Sequence, residues 1–165
     1  MKKFAIAVAT LALLASAGTA HAAMGATMVF DGSFDPRIGI NFGGEGTTID
    51  LLAGFNSIDG LGSEIILGGI FEKAMAGSGN AVPLFGLCAD VLLGSPDNDN
   101  LDSYTDIRFG GFLGGRVEIV EDFSIAGHMG LKVGMMGERF EGDDSSTNFG
   151  TFANVAIRYT GLWGK

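Results

Sequence analysis

His128 is the only histidine beyond the first 22 residues, and imidazole is the side chain readiest to move a proton near neutral pH. A catalytic base needs a nucleophile beside it or a partner that orients it. No Ser or Asp stands at a spacing that identifies either, and His128 falls on the polar parity of its segment, so a packed or ion-paired residue is the simpler reading. Cys88 is the single cysteine and has no Cys or His at a ligand spacing, which makes it an inert interior thiol that forms no internal disulfide. The stretch Asp97-Asn98-Asp99-Asn100-Leu101-Asp102 superficially matches a calcium loop. It puts leucine at the fifth position and aspartate where the sixth-position glycine belongs, so it is expected to be a solvated loop. No catalytic residue, cofactor site or metal site is expected, and no enzymatic activity.

What remains distinctive is charge of both signs recurring on one parity. Arg37, Arg108, Arg116, Lys132 and Arg158 share it with Asp50, Glu64, Glu72, Asp90, Glu118 and Glu138, and with His128. If that parity faces an enclosed interior, these groups must pair, because an unpaired buried charge is costly. The alternative use of the same set is a constricted or gated pore, in which Arg116→Ala would raise conductance.

The elements that carry these residues alternate with period two, as strands do. Eight are expected: 26–30, 37–43, 47–55, 63–73, 81–93, 104–119, 123–138 and 149–163. The last is the clearest. Phe149, Thr151, Ala153, Val155, Ile157 and Tyr159 make one face, largely apolar; Gly150, Phe152, Asn154, Ala156, Arg158 and Thr160 make the other. At roughly 3.3 Å per residue and a tilt near 40°, Phe149 and Tyr159 stand about 25 Å apart along an axis, the height of a lipid-facing band between aromatic girdles. Trp163 is the third girdle candidate. Short turns near Glu45, Gly77 and Asp122 alternate with loops near Asp31, Asp59, 97–102 and 141–144, the arrangement of an up-and-down barrel whose two chain ends share one side. Eight strands leave room only for side chains, so long charged residues need small neighbours such as Gly110, Gly114, Gly130 and Gly134. The pairs Gly68-Gly69 and Gly114-Gly115 are sites where a bulge would flip parity.

Composition agrees. Mean hydropathy is +0.34, yet no run of about eighteen apolar residues follows residue 22, so the apolar content is spread over strands. Lys2 and Lys3, the apolar stretch 4–17 and Ala20-His21-Ala22 read as an export signal occupying 1–22 and cleaved after Ala22, leaving one domain over 23–165. Removing the two lysines moves the formal charge from −9 to −11, which argues against nucleic acid as a partner.

A soluble sandwich or ligand-binding barrel also alternates, but turns its apolar face inward. Here the apolar faces carry almost no charge and hold large residues near the strand ends, while the opposite faces mix charge with glycine. The signal, the eight amphipathic strands, the polar loops and the aromatic-rich final strand resemble the small outer-membrane β-barrels of Gram-negative bacteria over the whole of 23–165. That resemblance implies an all-β, eight-stranded, antiparallel up-and-down transmembrane barrel. It implies an outer-membrane location, contact with outer-membrane lipid and lipopolysaccharide, and the barrel-insertion machinery as a partner; the acidic loops would offer divalent cations a bridge to lipopolysaccharide phosphates. A structural or surface-interaction role is the expected function, with an interior filled by ion pairs and an unidentified surface or small-molecule ligand allowed for. The alternatives are a narrow pore or carrier for small, including hydrophobic, molecules, and a soluble periplasmic ligand-binding barrel.

Overall fold

Period-two alternation becomes eight strands: β1 (Ala23–Asp31), β2 (Pro36–Gly44), β3 (Thr47–Ile58), β4 (Gly62–Ala74), β5 (Ala81–Ser95), β6 (Tyr104–Val120), β7 (Phe123–Met136) and β8 (Ser146–Trp163). This computed structural model describes residues 23–32, 36–44, 46–58, 62–76, 80–97, 103–138 and 145–163. The export signal expected over 1–22 and most of the acidic stretches 97–102 and 141–144 lie outside them. Each strand pairs antiparallel with its sequence neighbour, and β8 pairs with β1, so the sheet closes without a crossover.

Closure fixes the stagger. Followed along the ladder from Met28 through Ile38, Ala53, Leu67, Val91, Ile107 and Met135, the path arrives at Thr147, ten residues from Ile157, the true β8 partner of Met28. That shear goes with strands tilted roughly 40° from the axis.

The apolar parity points outward. Ile38, Phe55, Leu87, Leu113, Met129, Leu131 and Phe149 are all exposed large hydrophobics. Among the described strands the outward parity carries one charge, Lys73, near the end of β4. The exposed aromatics extend the expected pair: Phe55, Phe109 and Phe149 lie toward one end of the barrel, Phe85 and Tyr159 toward the other. Trp163 pairs through its backbone with Met24, and its side chain lies outside the described part.

The connections 45–46, 75–80 and 121–122 share an end with both termini of the barrel (the terminal end), and the longer 96–103 and 137–145 stand at the opposite loop end. The turn 121–122 is tight because Asp122 takes a left-handed φ of 65°, a conformation aspartate tolerates better than most residues.

The expected irregularities are displaced. Pairing runs unshifted through Gly68-Gly69 and Gly114-Gly115; the shifts fall between Glu118 and Val120, beside the Asp122 turn, and between Met24 and Ala26, at the β1–β8 seam. At that seam Asn41, fully buried, donates from Nδ2 to Ala26 O at 2.8 Å and to Tyr159 O at 3.5 Å, a side chain bracing the joint. The seam is also short. β1 has 9 residues and β8 has 18, and their ladder stops at Asp31 opposite Asn154. Residues 146–153 of β8 therefore have no partner on that side among the described residues.

Glycines let the inner wall close up. A Cβ added at Gly130 would meet the Cα and Cβ of Phe112, each at 2.8 Å, across the β6–β7 pair. Gly130→Ala is expected to cost about 1–3 kcal/mol through forced strand separation, measured as a lower urea midpoint for the protein folded in lipid vesicles. An unchanged midpoint would show that β6 and β7 yield at no cost.

Candidate functional site

Inward-facing positions gather the charged set, and its centre is Arg158. This residue is 1% exposed and sits between two carboxylates from the opposite wall. Its Nε donates to Asp50 Oδ1 at 3.0 Å and Oδ2 at 3.1 Å, and Nη2 adds a contact to Asp50 Oδ2 at 2.5 Å. Nη1 donates to Glu72 Oε2 at 3.1 Å, while Nη2 also reaches Glu72 Oε1. A planar guanidinium has five N–H donors in a fixed fork, so one arginine can hold two carboxylates at once.

Glu72 extends the chain to His128, whose Nε2 lies 2.6 Å from Glu72 Oε1. Nδ1 lies 2.5 Å from Asn154 Oδ1, and the ring packs on Phe112 with centroids 4.5 Å apart. One guanidinium thus serves two buried carboxylates, with the His128 ring lying beside Glu72. Neither nitrogen is open to a substrate.

The sequence leads one to expect ion pairs throughout the interior, and here the structure corrects the picture. Val29, Leu52, Ile70, Leu84, Phe112, Ala126 and Ala156 form a buried apolar cluster inside the barrel, with Phe152, Val82 and Cys88 against it. These residues occupy the polar parity of their strands. A lumen this narrow cannot hydrate an all-charged filling, so hydrocarbon shares it with the charges.

Toward the loop end lies a second charged group. Arg37 Nη1 contacts Asp90 Oδ1 at 2.5 Å; Arg108 faces Asp106 at 3.9 Å; Lys132 lines the same space. Glu64 accepts from the Tyr104 hydroxyl nearer the rim. At the terminal end Arg116 donates to Thr48 Oγ1 at 3.1 Å, and its carboxylate neighbour, Glu118, is 4.0 Å away.

Two interior assignments need correction. Glu118 has a side chain 63% exposed, because the strand leaves the barrel at the terminal-end rim two residues before the turn. Glu138 is exposed as well, since β7 ends at Met136 and not at residue 138. Sequence reasoning also missed Asp106, fully buried, whose Oδ1 accepts from Gly137 N at 3.0 Å. It lies two residues before Arg108 on the same parity, and that spacing was the available signal. Asn41 and Asn154 had the same signal.

An all-β barrel of eight antiparallel strands, apolar outside and filled inside, is the fold of the small outer-membrane β-barrel proteins. Among solved structures the chain is similar to Neisserial surface protein A, with a TM-score of 0.55 and 12% identity over 83% of this chain and 94% of that one. It also matches a major outer membrane protein from Thermus thermophilus at a TM-score of 0.39 and 14% identity, over 83% and 100% of the two chains. The fold likeness rests on the first. No protein-family model matches the chain. No curated protein matches it either.

Proposed function

We propose that this protein is an integral outer-membrane barrel with a structural or surface-interaction role, closed to solute flow. The single observation that carries this reading is the Arg158 cluster: Asp50, Glu72, His128 and Asn154 joined across the lumen, with Phe112 packed on the His128 ring. The outward apolar belt supports the membrane location, because a soluble barrel would hide that face. The same reading includes export on a leader cleaved after Ala22, delivery to the insertion machinery, and contact with lipid and lipopolysaccharide.

The full chain expressed in a Gram-negative host is expected in the outer-membrane fraction and to change gel mobility on heating. Recovery as a soluble periplasmic protein would overturn the location. Reconstituted in planar bilayers with concentrated potassium chloride, the folded barrel is expected to give no stepwise current. Regular single-channel steps from the unaltered protein would replace this reading with that of a narrow pore.

A further inference from the structure

The loop-end charged group encloses a small cavity that the closed-barrel reading does not use. It measures about 40 Å³, and its charged lining comprises Arg37, Arg108 and Lys132 against Asp31 and Asp90. Ile70 and Phe152 contribute apolar wall and belong to, or pack on, the buried cluster around Arg158. A space of this size exceeds the roughly 10–15 Å³ that a single water requires and falls far below the roughly 300 Å³ of an organic ligand site. It has room for a few waters or for one small ion.

Its donors outnumber its acceptors. Asp90 is engaged by Arg37 Nη1 at 2.5 Å, and Arg37 Nε, on a residue only 6% exposed, has no acceptor. Lys132 has no carboxylate within 4.0 Å among the described residues. Arg108, its side chain 36% exposed, meets Asp106 only at 3.9 Å, and Asp106 already accepts from Gly137 N. A buried donor left without an acceptor costs about 1–3 kcal/mol, and more when it is charged. An acceptor that carries negative charge meets both needs.

We propose that this cavity is a binding site for a small inorganic anion of chloride size, held by Arg37 Nε and the Lys132 ammonium and reached past Arg108 from the loop end. The ion completes the loop-end half of the filling, as the carboxylates around Arg158 complete the other.

Crystals of the full chain soaked in sodium bromide test this by anomalous scattering. A bromine peak between Arg37 and Lys132 is expected. Water there, or an adventitious ion only, at surface lysines, overturns the proposal. In detergent micelles the thermal unfolding midpoint is expected to rise with chloride at constant ionic strength, balanced by gluconate, which is too large for the cavity. The rise should vanish in Lys132→Met and persist in Lys73→Met, where the lysine faces outward. Equal chloride response in all three proteins overturns the site. This measurement needs no assumption about conductance, so it stands or fails apart from the closed-barrel reading.

Discussion

Arg158→Met lowers the stability of the folded barrel by about 3–5 kcal/mol, the largest effect expected of any single substitution in the lumen. The reason is asymmetry. Methionine removes the one guanidinium that serves both Asp50 and Glu72, and these carboxylates stay behind in a compartment 0% and 1% exposed. His128 alone remains beside Glu72, and nothing comparable replaces Arg158 at Asp50. The measurement is urea unfolding from lipid vesicles, followed by the fraction that keeps heat-dependent gel mobility. Neutralising both acids as well, in Arg158→Met with Asp50→Asn and Glu72→Gln, is expected to recover most of the loss, because the buried charges leave together. A single variant as stable as the parent would mean that water reaches the cluster, and the lumen would then be open.

The second large effect lies on the other surface. Met129 is 72% exposed at the middle of β7, flanked across the ladder by Leu113 and Ala153. Arginine there faces hydrocarbon if the belt is a membrane surface, and the expected loss in vesicles is about 2–4 kcal/mol. Glu118→Arg at the exposed rim is the control, expected within about 0.5 kcal/mol of the parent. A soluble barrel would accept both changes alike. Equal stabilities would therefore remove the membrane reading.

The two predictions differ in how far the sequence could lead to them. The Met129 side was legible, because alternation is local: Ile125, Met129 and Leu131 need only their own strand to declare a common face. The same rule put Arg37, Asp50, Glu72, Asp90 and Arg158 on one side. Which of them meet was not legible. Asp50 and Arg158 lie 108 residues apart, and their encounter depends on the stagger accumulated over the five pairings from β3 to β8 and the three that return through β1 and β2. A single shift of two residues anywhere would move the guanidinium away. Leu52, Leu84 and Phe112 were hidden for another reason: on a parity named polar for its charges, apolar residues look like exceptions, and only closure makes them filling. The strand ends failed locally, at residues 138 and 118, where exposure and not parity decides whether a charge is inside.

The short seam between β1 and β8 has a mechanical consequence. Hydrocarbon offers no partner to backbone N–H and C=O groups. For a barrel embedded as proposed, the edge of β8 over 146–153, which has no strand partner on the β1 side among the described residues, meets water or headgroups, even though Phe149 stands level with the loop-end aromatics. On that geometry the outer leaflet dips beside β1 and β2 by roughly 13 Å, about five residues of tilted strand. Such mismatch costs fractions of a kcal/mol per Å and disorders the adjoining acyl chains. The molecule would sit in the bilayer with a lopsided footprint, thinning the membrane on one flank while leaving it at full depth beside β5–β7.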